Sequence, residues 1–356
     1  MTANALRTVA VVGTGLIGTS VALALTARGV TPHLIDRDGD AARTAAALGA
    51  GTAGAPPGPV DLAVLAVPPG SVAGVLEEHQ KNGLARAYTD VASVKGPPLD
   101  EIAARGGDLG SFVGGHPMAG RERSGPLAAR AELFEGRPWV LTPDPATEPA
   151  VLGRALELVR LCGGVPVVLD AEAHDHAVAL ISHVPHLLAS LMAARLDDGE
   201  EVALRLAGQG LRDVTRIAAG DAGLWTDILT TNAEAVAAVL DGLAADLDTV
   251  RRALRGPDPT ELTALLERGN AGYARIPGKP GGTAVAYRPV RVVLRDRAGE
   301  LARLLCAASA VGANIEDVRL EHATDGSAGL AELLVADGSA GTLTAELRRR
   351  GWTVHA

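Results

Sequence analysis

Apolar and polar positions change rhythm twice along this chain. From Thr8 to about Asp170, short apolar runs rich in β-branched residues alternate with alanine-rich helical stretches: "TVAVVG", "HLID", "DLAVLAV", "AYTDV", "SFVGG", "PWVLT" and "VPVVLD". Continuous apolar strands separated by helices predict an α/β domain with a parallel sheet covered on both faces. After Asp170 the period lengthens. Segments such as "DHAVALISHVPHLLASLMAARL" and "NAEAVAAVLDGLAADLDTVRRALR" repeat apolar residues every three or four positions over several turns, which predicts long helices. Helices so rich in Ala and Leu suit burial against a second copy of the chain, so a homodimer is expected. "GNAGYARIPGKPGGTA" reads as a flexible linker. From Tyr287 onward the order strand, helix, strand, strand, helix, strand predicts a small α+β ferredoxin-like unit. The expected boundaries are 1–170 for the α/β domain, 171–270 for the all-α domain, 271–286 for the linker and 287–356 for the tail.

Composition narrows what these domains do. The formal net charge of −9 disfavours a nucleic-acid or anionic-membrane surface, because both need clustered Lys and Arg. No apolar run reads as long enough to span a bilayer, and "MTANALRTVAVVGTG" enters a strand directly, so a cytoplasmic protein is expected. Cys162 and Cys306 stand far apart without zinc-like spacing, which predicts reduced, partly buried thiols and no metal.

The first βα turn carries GxGxxG at Gly13, Gly15 and Gly18. In a Rossmann-type turn the first glycine permits the sharp bend and the second lets backbone approach a diphosphate, while the third lets the helix sit close to the sheet. Asp36 ends the second strand at the distance where a carboxylate receives adenosine ribose hydroxyls, which favours NAD over NADP; Arg37 beside it could instead accommodate a 2′-phosphate. Thr14, Leu16, Ile17, Val67 and Ser93 complete the expected cofactor contacts.

Four further places carry chemistry. "TDVASVKG" offers Ser93 and Lys95 at the carboxyl edge of the sheet, and "VGGHPMAG" suits a tight turn presenting His116. "AHDHAVALISHVPH" supplies His174, His176, His183 and His186; no Cys or Glu completes a familiar zinc spacing. "LRDVTRIAAGDAGLWTDIL" supplies Arg212, Asp213, Arg216 and Trp225, with Arg216 either a substrate clamp or an ion-pair partner of Asp213.

In this order, "GTGLIG", "DVASVKG", "GGHPMAGRERSG", "HDHAVALISHVPH" and "RDVTRIAAGDAGLWTDI" resemble the prephenate/arogenate dehydrogenase family of tyrosine biosynthesis, over roughly Val9 to Gly269. The resemblance implies NAD(P)-dependent oxidative decarboxylation: hydride leaves C4 of the ring for nicotinamide, carbon dioxide leaves C1, and the ring becomes aromatic. It implies His116 as the acceptor of the 4-hydroxyl proton, Ser93 as its orienting partner, Arg216 as the carboxylate clamp, and His183 and His186 near the substrate. Arg121 stands where many members have Ser or Thr, at a position that bears on the choice between prephenate and arogenate; Ala92 stands where glycine is common. The tail is similar to ACT domains, which implies binding of an aromatic amino acid, tyrosine first.

Two other readings stay in view. A β-hydroxy acid dehydrogenase would use a lysine from the helical region, and none lies between Lys95 and Lys279. A non-catalytic NAD or amino-acid sensor would not need the Ser93, His116 and Arg216 set.

Overall fold

The computed structural model of the chain describes residues 6–120, 125–199, 201–276, 287–295, 297–322 and 328–355. Its contacts form two compact units, Met1–Arg252 and Ala253–Ala356.

The first unit is built on an eight-stranded sheet. Its strands are β1 (Thr8–Val12), β2 (Thr31–Ile35), β3 (Thr52–Ala53), β4 (Leu62–Leu65), β5 (Tyr88–Asp90), β6 (Phe112–Pro117), β7 (Pro138–Thr142) and β8 (Val165–Val168), in the order β3-β2-β1-β4-β5-β6-β7-β8. Both faces are covered. Along β1, Val9 and Val11 join one buried cluster with Leu25, Leu34 and Trp139, while Ala10 and Val12 join another with Leu65, Leu76 and Ile102. Each fully buried Leu in such a cluster contributes about 1.5–3 kcal/mol.

The sheet is not wholly parallel as the apolar runs suggest. β1 to β6 are parallel, but β7 runs antiparallel to β6, and β8 follows β7. A parallel neighbour needs a crossover helix, whereas the described part of the β6–β7 connection contains only the one-turn helices Pro126–Ala128 and Ala131–Phe134.

The helical part begins with Ala171–Val178, a π-helical turn Ala179–His183 and Val184–Asp197. Together they make a 27-residue run that contains an 18-residue window of mean hydropathy 1.6, so one helix does reach the length and composition of a membrane span, which the sequence reading did not anticipate. Histidines and Asp175 interrupt the apolar run in the linear sequence, but the helix continues through them. Leu180, Ile181, Leu191 and Met192 on this run are exposed. Ala222–Thr231 and the 23-residue helix Ala233–Arg255 follow shorter turns.

In the second unit the helix Thr260–Tyr273 occupies the start of the expected linker; residues 277–286 lie outside the described residues. Strands β9 (Tyr287–Arg295), β10 (Ile315–His322), β11 (Ala328–Ala336) and β12 (Val354–His355) form an antiparallel sheet in the order β10-β11-β9-β12. Helices Glu300–Ser309 and Asp337–Arg349 bury Leu304, Ala308, Leu343 and Leu347 against Val290, Val292, Leu333 and Val335. This is the expected ferredoxin-like arrangement. Cys162 is buried, but Cys306 is exposed rather than partly buried, because its helix turns that face away from the sheet.

Candidate active site

The glycine turn after β1 has the shape its sequence demands. Gly13 adopts φ +97°, and a Cβ there would lie 2.2 Å from the carbonyl oxygen of Ala66. A Cβ on Gly18 would lie 1.9 Å from the carbonyl oxygen of Gly13. Both are needed for packing. A Cβ on Gly15, by contrast, would meet nothing within 4 Å, so the turn leaves open space where a diphosphate would approach the helix Leu16–Thr26. Asp36 closes the other side: its carboxylate accepts from the Thr14 amide (2.6 Å) and hydroxyl (2.8 Å) and from the Asp38 amide (2.9 Å). Burial works to raise its pKa, but these hydrogen bonds and Arg37 outweigh it and hold the carboxyl below its ordinary value. The donor set fits an adenine dinucleotide.

His116 is not on a turn. It is the fifth residue of β6, opposite Val140 on β7. The glycines before it serve close strand packing: a Cβ on Gly114 would lie 2.3 Å from Thr142 Oγ1, and one on Gly115 2.6 Å from the Asp90 carbonyl. Beneath it, Lys95 is only 3% exposed and pairs with Asp90 while donating to the Gly115 carbonyl at 2.7 Å. Asp90 also accepts from the Gly115 amide (2.8 Å) and the Ala92 amide (3.2 Å). Burial lowers the Lys95 pKa, although Asp90 and Asp175 oppose the shift.

The helical domain supplies the facing wall. His116 Nδ1 lies 2.9 Å from His174 Nε2, and His174 Nδ1 lies 2.7 Å from Asp175 Oδ1. Asp175 also accepts from the Lys95 and Gly96 amides, both at 2.8 Å. The π turn then brings His183 inward. Val184 bonds back five residues to Ala179, and Pro185, which has no N–H, cannot continue the normal ladder. His183 is 1% exposed; Asn232 Nδ2 lies 3.1 Å from its Nδ1, while its Nε2 has no partner among the described residues. Burial is the largest cause that pushes its pKa down, to about 4. Burial, with His174, Lys95 and His183 nearby, takes His116 well below the usual imidazole value.

His186 stacks on Trp225 with ring centroids 3.5 Å apart. Gly220 allows that stack, since a Cβ there would lie 2.5 Å from Trp225 Nε1. Arg216 is exposed and opens the turn Arg216–Ala219, which packs on the helix carrying His186. Asp213 accepts from Gln209 at 2.7 Å. Ser93 is half-buried and makes no side-chain hydrogen bond among the described residues; the partner of His116 is His174 instead. Arg121 lies outside the described residues.

Residues 21–168 match the family described as prephenate dehydrogenase, nucleotide-binding domain, and residues 170–268 match its dimerization domain. The chain belongs to the prephenate dehydrogenase family. It is 44% identical to the probable prephenate dehydrogenase NovF of Streptomyces niveus, over 98% of this chain and 99% of that protein. It is 34% identical to the cyclohexadienyl dehydrogenase of Zymomonas mobilis, over 70% of this chain and 89% of that one. The crystal structure of the A. aeolicus prephenate dehydrogenase with hydroxyphenyl propionate and NAD+ superposes with a TM-score of 0.70 at 27% identity, covering 77% of this chain and 99% of that one. The Synechocystis arogenate dehydrogenase gives a TM-score of 0.64 at 28% identity, covering 75% and 99%.

For a prephenate dehydrogenase family member, the sequence reading missed three participants. Asp90 reads as a strand end, Asp175 as one of several helix acids and Asn232 as a helix boundary. Only the alternation of His and Asp in "HDH" signalled that a charged group accompanied the histidines.

Proposed function

We propose that the chain catalyses the NAD-dependent oxidative decarboxylation of prephenate to 4-hydroxyphenylpyruvate, with arogenate, which would give tyrosine, as the competing substrate. The observation that carries this reading is the imidazole of His116 at the carboxyl end of a Rossmann-type sheet, 2.9 Å from His174 and facing a second wall of histidines, where burial, with His174, Lys95 and His183 nearby, pushes its pKa down.

Aromatisation makes loss of carbon dioxide favourable, so the protein's task is positioning and proton handling. NAD, when bound, supplies the acceptor for the C4 hydride. The open space at Gly15, with Thr14, Leu16, Ile17 and Val67 around it, would hold the diphosphate, and Asp36 and Arg37 would meet the ribose, its charge favouring NAD over NADP. His116 accepts the 4-hydroxyl proton as the C–H and C–C bonds break and returns it to the phenolic oxygen. Ser93 approaches the nicotinamide. Arg216 holds a substrate carboxylate through its planar fork, and His183 and His186 line the ring site. Arg121, which lies outside the described residues, stands at a position that bears on the choice between prephenate and arogenate.

The exposed apolar residues Leu180, Ile181, Leu191 and Met192, in the segment matched as a dimerization domain, support a homodimer. We read the chain as cytoplasmic, the tail as an ACT-like module that binds tyrosine or another aromatic amino acid, and the domain limits as 1–170, 171–270 and 287–356. Following NADH formation with prephenate and arogenate, each with NAD and NADP, tests the activity. No turnover of either substrate with either cofactor would refute it, and calorimetry with tyrosine and phenylalanine on the full chain tests the tail.

A further inference from the structure

Two imidazoles in this site have partners that dictate where their protons sit. A backbone carbonyl can only accept, so Asn232 turns its amide nitrogen to the Asp175 carbonyl, 2.9 Å away. The same nitrogen lies 3.1 Å from His183 Nδ1. That Nδ1 is therefore an acceptor, and the ring proton of His183 is on Nε2, the buried atom without a partner among the described residues. At the other ring the logic runs from a carboxylate. Asp175 accepts backbone N–H bonds at both oxygens, and Oδ1 also accepts from His174 Nδ1. With its one ring proton on Nδ1, His174 has a bare Nε2, which accepts from His116 Nδ1. The Lys95 ammonium near His116 works against an added proton on that ring.

We propose that Asp175, His174 and Asn232 are positioning residues that hold the two imidazoles in opposite tautomers: His116 with a bare Nε2 that accepts from the substrate, and His183 with an Nε2–H that donates to it. This inference rests on the dehydrogenase reading above. A ring hydroxyl that must lose and regain a proton is matched by this polarity, and a wrong tautomer at His116 would present a donor where an acceptor is required. Neither Asp175 nor Asn232 needs to touch substrate to have this effect.

The test is nitrogen NMR of the full-length chain with 15N-labelled histidine, the two rings being assigned by loss of signal in His116→Asn and His183→Gln. Resting enzyme is expected to show His116 protonated on Nδ1 only and His183 on Nε2 only. Replacing His174 with Phe keeps the ring volume but removes both nitrogens; His116 should then lose its single tautomer, and kcat should fall about 10- to 100-fold with KM little changed. His174→Gln, whose amide can donate to Asp175 and accept from His116, should recover most of that loss. Asn232→Ala should mix the His183 tautomers and raise KM about tenfold more than it lowers kcat. A proton on His116 Nε2 or a bare His183 Nε2 in the wild type would overturn the inference, as would unchanged tautomers and kinetics in His174→Phe. Because the wild-type spectrum needs no turnover, these outcomes are separate from a failed substrate assay.

Discussion

Nδ1 of His116 lies 2.9 Å from Nε2 of His174, and the two rings meet edge to face with centroids 5.1 Å apart. One ring stands at the end of a central strand and the other on the first helix of the helical part, 58 residues later. The contact makes the proposed catalytic base a property of both domains. His116→Asn keeps a polar side chain but no basic ring. Its expected effect is a fall in kcat of about 10²- to 10⁴-fold, with NADH affinity measured by fluorescence titration unchanged. A variant with wild-type kcat would remove His116 from the chemistry.

Acid should destabilise this fold before its carboxylates titrate. His183 has a folded pKa of about 4 against about 6.5 when unfolded, so between those values the unfolded chain binds a proton that the native chain refuses. Stability is then full above pH 6.5 and falls as pH drops towards 4. His183 alone accounts for up to about 3 kcal/mol of this, and His116, also lowered, adds with the same sign. Urea midpoints at pH 7.5 and pH 5 (both chosen to bracket the ordinary imidazole value of about 6.5) should differ, and His183→Gln should flatten the difference. Equal midpoints in the wild type would contradict the buried neutral ring.

The Rossmann half was legible because its signals are local. Gly13, Gly15, Gly18 and Asp36 carry their reasons within one strand, turn, helix and strand, and the tail's βαββαβ order follows from period alone. The helical wall was legible only as a set of histidines. Which ring meets His116 depends on the docking of helix Ala171–Val178 and on a π turn, and neither leaves a mark in the periodicity. The antiparallel return of β7 was hidden for a related reason: an apolar run has no direction. "VGGHP" read as a turn because paired glycines usually loosen a strand, whereas here they make room for Thr142 and Asp90.

Two of the loop glycines should fail differently. Gly15→Ala has space for its Cβ and an ordinary φ of −71°, so the melting temperature should hold while NAD affinity falls on the order of tenfold or more, as the methyl occupies the diphosphate's approach. Gly13→Ala meets both a left-handed backbone and the Ala66 carbonyl, and should lower the melting temperature itself. Equal loss of stability in the two variants would mean that Gly15 serves packing rather than the cofactor.

Asp36→Ser removes the carboxylate that excludes a 2′-phosphate. The ratio of kcat/KM for NAD to that for NADP should fall by about tenfold or more, with Arg37 left to meet the added phosphate. The Thr14 amide would lose its carboxylate acceptor, so about 1–2 kcal/mol of stability should go with it. An unchanged cofactor ratio would show that Asp36 only ties down the turn.

The buried pair of Lys95 and Asp90 separates structural need from catalytic need. Their side chains are 2% and 1% exposed, and Asp90 accepts two backbone N–H bonds besides the ammonium. Lys95→Met strands an ionised carboxylate, which should cost about 3–5 kcal/mol in urea unfolding. Adding Asp90→Asn removes that charge, though an amide cannot accept at both positions, so the double variant should recover only part of the loss. The kinetic consequence runs the other way. With the ammonium gone from beside His116, the imidazole should hold its proton more readily, and the acid limb of kcat/KM should move to higher pH in the double variant. A double variant no more stable than Lys95→Met would show that packing of the lysine stem, not the stranded charge, accounts for the loss, and an unmoved acid limb would show that the ammonium does not reach His116 electrostatically.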